Sequence, residues 1–460
     1  MLLHHARSKL CLARAGLGVA ALLLLSAGES RAAKESVLYG FTETAHGSNP
    51  YTGVIADSHG ALYGTTEGGG TNFESSLGTV FKLTPPEPGK TAWTETVLYT
   101  FTGGASGGIP KAGLVMDADG ALYGTTYQGG QSNCDFYLGC GTVFKLTPPA
   151  KGKKTWTEKA LHIFTGSMQG VAPNGIHPWG ALALGPGGVL FGTTLLGGTA
   201  DPNACLAQGC GTVFKLTPPA KSGGAWTETV LHRFTNSQFG YPHSGVTLDA
   251  KGDLFGTAAG GGLVCCGLVY ELTAPAKGST TYTYRTLHAF TGSDGARPQG
   301  GLAIDTDGKL YGTTYGDGSD NYGTVFRLTP PAKSGGTWSN SVLVTIVQAS
   351  LGGPIGAPTL ASNGTLYFST GSDSGGTKEF RPNAASETPA GVVVKLTPPS
   401  AGHNTWTHTI LHSFQTTGDG ADPPGPLLLL NGALYGTTTH GWNSAGSVYT
   451  NGTVFKIASP

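Results

Sequence analysis

A chain of 460 residues whose Lys+Arg and Asp+Glu counts are both 27 carries no formal net charge, and only 12% of its residues are charged. Nucleic acid and anionic membrane surfaces are normally bound through a basic excess, so neither is expected as a partner. Gly 76 and Pro 28 would signal disorder in most chains. Here the glycines fall at fixed places between β-branched and aromatic runs, as the turn residues of an all-β fold do.

The first segment places Arg7, Lys9 and Arg14 ahead of an apolar run from Ala15 to Ala27, with small residues near Ala32. That is a secretory signal pattern. The run is too short to cross about 30 Å of hydrocarbon, so a membrane anchor is not expected. Residues 1–32 are therefore expected to be a signal peptide and 33–460 a single exported domain, secreted or periplasmic and without membrane insertion. Next comes Val37-Leu38-Tyr39-Gly40-Phe41-Thr42, an extended segment with no partner beside it in sequence.

From there the chain repeats. Gly120-Ala121-Leu122-Tyr123-Gly124-Thr125-Thr126 has seven versions, whose leucines are Leu62, Leu122, Leu190, Leu254, Leu310, Leu366 and Leu434. Self-similarity at such a period means one supersecondary unit burying its faces on its neighbours. Each period resolves into four extended segments bounded by Gly or Pro. In the second these are Gly113 to Asp117, Leu122 to Thr126, Gly141-Thr142-Val143-Phe144-Lys145-Leu146, and Trp156 to Thr165. Four antiparallel strands per unit and seven units predict a seven-bladed β-propeller. The fourth strand is missing after the last third strand but present ahead of the first unit. The N-terminal segment, residues 36–43, is thus expected to join the last blade and close the ring, leaving no open edge.

The pairing of Leu-Tyr-Gly-Thr-Thr with Gly-Thr-Val-Phe-Lys-Leu, at Leu62 with Gly78 and at Leu310 with Gly323, resembles the tandem GloVer (Gloeo_Verruco) repeat of secreted bacterial proteins called choice-of-anchor. The resemblance spans nearly the whole mature chain. It implies export but transfers no activity and no catalytic residue. Members are named for varied C-terminal anchors, whereas Thr453 to Pro460 has no apolar tail, so the resemblance does not extend to an anchor.

Six cysteines follow the leader, an even number for an exported chain. Cys134 with Cys140, and Cys205 with Cys210, flank the same loop in successive units and are expected to form two local disulfides. Cys265 and Cys266 are adjacent. A strained vicinal bridge and a free or intermolecular pair both remain open for them. Cys-x-x-Cys spacing is absent, so no metal is expected from this set.

Repetition separates scaffold from site: a residue recurring in every unit is structural, and one that varies at a fixed place is a candidate for recognition. His162, His232, His288 and His412 share the fourth-strand place of Tyr39 and Tyr99, which predicts packing. A proline precedes most first strands, and the next residue is Tyr51, Lys111, Trp179, His243, Gln299 or Ile355. First strands line a propeller's channel, so these side chains are expected around its mouth, in a concave mixture of aromatic and polar groups. Arg297 and His177 are expected beside them. The candidate ligand-binding set is Tyr51, Lys111, His177, Trp179, His243, Arg297 and Gln299. The sixth unit carries a long charged loop, 371–390, which could serve as a lid or be an unselected insertion.

No Gly-x-Ser-x-Gly, His-Glu-x-x-His or phosphate-loop pattern occurs, so no cofactor is expected. The Asp-x-Asp-Gly turns at Asp117 and Asp305 lack the further ligands of a calcium loop and suit tight hairpins. The favoured function is an exported monomeric binding or scaffold protein recognising a glycan or protein through its loop face. The alternative is a polysaccharide lyase or glycoside hydrolase at the channel mouth, with His177 or His243 as acid or base and Lys111 or Arg297 neutralising an anionic sugar.

Overall fold

The computed structural model describes residues 33–458 except 42–43, 71–76, 131–133, 135–138, 167–171, 199–208, 222, 236–239, 261–265, 317–321, 334, 347–351, 372–389, 416–418 and 443–448. The leader, Cys205, Cys265 and nearly all of the 371–390 loop therefore lie outside the described residues. Among those described, no helix is long and apolar enough to cross a membrane.

The architecture is a seven-bladed propeller of antiparallel four-stranded sheets. In the second blade the strands run Val115–Met116, Leu122–Thr126, Thr142–Thr147 and Thr157–Ile163, from the channel outwards. The last blade takes its outermost strand from the other end of the chain: Glu35–Gly40 pairs with Thr453–Ala458, Glu35 opposite Ile457 and Gly40 opposite Thr453. Phe41 extends the closure, exchanging backbone hydrogen bonds with Gly452 and Asn451. The expected ring closure is thus the observed one. First strands are only two residues long in most blades, shorter than the sequence suggests, because the sheets converge there.

Each residue of the repeated motif has a separate task. Leu122 and its counterparts are fully buried between blades. The tyrosine ring packs edge-on against the tryptophan ahead of the next blade's fourth strand, as with Tyr63 on Trp156 and Tyr123 on Trp226. Its hydroxyl donates to the turn aspartate, Tyr123 to Asp117 at 2.9 Å. The other Asp117 oxygen accepts the N–H groups of Asp119 and Ala121, so the carboxylate is committed to a hairpin turn rather than to calcium. The second threonine meets a third-strand threonine, Thr126 and Thr142 lying 2.8 Å apart. Of the fourth-strand histidines, His232 stacks on Tyr284 at 4.0 Å, His162 lies edge-on to Phe164, and His288 and His412 pair with Asp294 and Asp419.

The motif's glycine faces the third-strand aromatic. A Cβ on Gly124 would stand 2.6 Å from Phe144 Cζ, so the ring fills the space a side chain would take. The sixth blade departs from the motif at this pair and keeps the volume: Phe368 stands opposite Val394 where other blades set glycine opposite phenylalanine or tyrosine. The ring is supplied from the second strand instead of the third, a volume-conserving exchange of the kind cores tolerate.

Two expectations test these assignments. Deleting residues 33–43 strips the last third strand of its partner and is expected to lower the melting temperature sharply; an unchanged value would refute the closure. Phe368→Gly alone is expected to cost about 3 to 5 kcal/mol by opening a cavity. Adding Val394→Phe should recover most of it in urea unfolding, and simple additivity of the two changes would show that the residues do not exchange roles.

Candidate functional site

The site begins with a contact between a glycine and a proline. The glycine opening each third strand adopts positive φ, Gly141 at 93°, and a Cβ there would lie 2.6 Å from Pro178 Cδ of the next blade. All seven blade junctions repeat the contact, the last between Gly452 and Pro50. The residue before the proline is the left-handed one in six blades: Asn49, Ile109, His177, Tyr241, Arg297 and Asp422 have φ between 52° and 57°. A residue before proline ordinarily adopts an extended conformation. Here backbone bonds on both sides hold it. The His177 N–H donates to the Cys140 carbonyl of the preceding blade at 2.8 Å, and its carbonyl accepts from Leu195.

This turn corrects the expectation for His177 and Arg297, neither of which lines the channel cavity. His177 is fully buried; its Nδ1 donates to the Tyr127 carbonyl at 2.8 Å and its ring stacks on Tyr127 at 4.4 Å. Arg297 is exposed, and its N–H donates to the Cys266 carbonyl at 2.8 Å. In both, the left-handed backbone directs the side chain away from the mouth.

The residue after the proline points inwards. Tyr51, Lys111, Trp179, His243, Gln299, Ile355 and Pro424 stand around one cavity of about 300 Å³ at the ring's centre. All five post-proline residues expected there are gathered. The residues that follow are small, such as Thr52-Gly53, Ala112-Gly113, Gly180-Ala181 and Ser244-Gly245. Neighbouring first strands crowd so closely that a Cβ on Gly356 would lie 2.7 Å from the Gly425 backbone. The first threonine of the second strand ties adjacent blades at this level: Thr65 donates to the Ala112 carbonyl at 3.1 Å, Thr193 to Ser244 at 2.8 Å, Thr257 to Gly300 at 2.9 Å and Thr437 to Thr52 at 2.7 Å. Thr313 and Ser369 do the same to Gly356 and Gly425. Thr125, whose counterpart acceptor would be the Gly180 carbonyl, is buried without a hydrogen-bond partner among the described residues.

One side of the mouth is a cluster of rings around a cation. Lys111 Nζ lies 4.3 Å from the Trp179 ring centroid, 5.3 Å from Tyr51 and 5.5 Å from Tyr127, within cation–π range of all three. Glu67 Oε1 is 3.0 Å from the same nitrogen. The approach lacks hydrogen-bond alignment at that oxygen, so the pair is held by charge. Trp179 is edge-on to Tyr127 at 5.3 Å and to His243 at 5.4 Å. Glu67 and Tyr127 were missed in the sequence. Both stand one residue after the repeated Thr-Thr, a fixed place with varied identity, so the rule that selected the post-proline ring would have found them.

Burial, helped by the Lys111 charge, pushes His243 down from 6.5 to about 4. Burial together with the Glu67 charge pushes Tyr51 up to about 12. Both groups are therefore neutral through the ordinary pH range. Among the described residues no Asp or Glu lines the cavity. Among the described residues no group of three or more His, Cys, Asp or Glu could hold a metal.

Outside the mouth, Cys134 and Cys140 are disulfide-bonded as expected. Cys210 is also disulfide-bonded, with its expected partner Cys205 outside the described residues. Cys266 is buried, and its proposed pairing with Cys265 likewise falls on a residue not described.

The profile of the Gloeobacter/Verrucomicrobia repeat matches residues 28–205 and 202–380. No curated protein matches the chain. Among solved structures, a Dyadobacter fermentans protein of unknown function is similar at 12% identity and TM-score 0.43, over 93% of this chain and 99% of that one. A putative glucose dehydrogenase of Thermus thermophilus is similar at 18% and 0.42, over 76% and 97%. An α-L-arabinanase of Penicillium chrysogenum is similar at 14% and 0.39, over 75% and 94%. Likeness at these scores carries no argument about activity.

Because the folded protein favours neutral His243, the stability this confers is present above pH 6.5 and lost as the pH falls towards about 4. In an NMR titration the His243 ring is expected to stay neutral down to about pH 4. Lys111→Met should raise the midpoint without restoring the ordinary value, since burial is the larger cause. A midpoint near 6.5 in the unsubstituted protein would contradict the enclosed geometry.

Proposed function

The chain belongs to the Gloeobacter/Verrucomicrobia repeat family, and from that premise we propose that it is an exported propeller that binds a glycan at the mouth of its central channel. The observation that carries this reading is the seven-membered ring of post-proline residues, fixed in position and different in every blade. Seven equivalent places occupied by seven different side chains are suited to an asymmetric ligand. The cavity, at about 300 Å³, is at the small end of ligand pockets, about 300 to 1,000 Å³. It admits a small molecule or the end of a polymer and is too narrow for a protein surface. Ring edges and uncharged polar groups converge on it, which suits a sugar's apolar CH faces and its hydroxyls. The Cys134–Cys140 disulfide agrees with an oxidising compartment.

The test is a glycan array read beside product formation on the same polymers. Binding without turnover is expected. Trp179→Ala and His243→Ala should each weaken it by about 1 to 3 kcal/mol; melting temperatures taken alongside show that each variant is folded, since Trp179 also packs against rings of the neighbouring blades. Full affinity in both folded variants would place the site elsewhere, and product formation would favour a lyase or hydrolase.

A further inference from the structure

Resting on that reading of the channel mouth, we infer that the ligand is an uncharged saccharide, because the site's own side chains occupy or cancel every charge it could offer. Among the described residues, Lys111 is the one charged residue lining the cavity. Its ammonium is lodged against Trp179, with the Tyr51 and Tyr127 rings also in range. Three electron-rich faces converging on one point would serve a cationic ligand, such as an amino sugar. The protein's own cation fills that point, so an incoming amine finds the slot taken.

An anionic sugar fares no better. The Lys111 charge is already compensated by Glu67, 3.0 Å behind it. A uronate would have to draw the ammonium off that carboxylate and three rings, or stand in the field of a neutral pair. His243 supplies no second positive charge, since it is held neutral down to about 4. Arg297, the other cation that might have served, lies off the cavity. What remains exposed to a ligand is the half-buried edges of Tyr51, Trp179 and His243, the Gln299 amide, and the aliphatic wall of Ile355 and Pro424. That lining offers hydrogen bonds without net charge beside apolar surface, which is the complement of a neutral pyranose.

The Lys111–Glu67 pair is then a selectivity device, and each half can be removed separately. The experiment is calorimetric titration of the full chain with matched oligosaccharides: neutral glucans and xylans, their uronic-acid counterparts, and chitosan oligomers. The unsubstituted protein is expected to bind a neutral member and to bind the charged ones at least about tenfold less tightly, the worth of roughly one poorly screened charge contact. Glu67→Gln leaves Lys111 uncompensated and should shift selectivity towards uronates by a similar factor. Lys111→Met vacates the ring cluster, leaves Glu67, and should shift it towards the amino sugars. Melting temperatures taken alongside show whether each variant is folded. Trp179→Ala serves as the control for location.

Tighter binding of uronates or amino sugars by the unsubstituted protein, or unchanged selectivity in both charge variants, would overturn the inference while leaving the channel mouth as the site. Failure of every sugar to bind would overturn it as well. Binding that Trp179→Ala leaves at full strength would instead overturn the location from which it is argued.

Discussion

Seven contacts between a glycine and a proline set the geometry of this molecule. At the start of each third strand the chain has no Cβ, and the proline of the following blade occupies the space. Any other residue at Gly141 would have to displace Pro178 and would also bear a strained positive φ. The proline in turn sets the direction of the residue after it, because its φ is locked. A packing contact between blades thereby determines where seven side chains stand around the axis, and the contact is the same whether the side chain is tryptophan, lysine or glutamine. Recognition can vary without disturbing the frame.

The same division gives the mouth a fixed frame although it is built from irregular chain. Five of its seven post-proline residues, Tyr51, Lys111, His243, Gln299 and Pro424, are bracketed between two inter-blade hydrogen bonds. Ahead of Lys111 the Ile109 N–H donates to the Leu77 carbonyl; behind it the Ala112 carbonyl accepts from Thr65. Ahead of His243 the Tyr241 N–H donates to Cys210, and behind it Ser244 accepts from Thr193. Most groups forming these brackets are backbone atoms, so they persist through changes of side chain. The threonine hydroxyls are the exception, and the motif repeats them nearly without fail.

The scaffold was legible in the sequence because repetition supplies an internal comparison. Blade number, strand order, the closing N-terminal strand and the fourth-strand histidines could all be read from places that recur. Five mouth residues could be placed because proline constrains its neighbour in a known way. His177 and Arg297 could not, since the left-handed turn ahead of the proline is imposed by bonds from the previous blade and accepts Asn, Ile, His, Tyr, Arg and Asp alike. No residue preference marks it. Glu67 and Tyr127 were legible in principle but sit behind the ring rather than in it. The Phe368 and Val394 exchange is not legible in this way, because a pair compensated across two strands is invisible when strands are compared one at a time.

Thr125 gives the mouth one uneven joint. It is the single counterpart in the ring of hydroxyl bridges that has no acceptor among the described residues, and the carbonyl it would have reached belongs to Gly180, directly after Trp179. Trp179 is therefore tethered ahead, through His177 and Cys140, and untethered behind. Rings take the place of the missing bridge: Tyr51, Tyr127 and His243 all stand edge-on to Trp179. The side chain with the largest area at the entrance is thus set from one side by backbone bonds and from the other by aromatic packing, so a change at any of those three rings acts directly on the placing of Trp179.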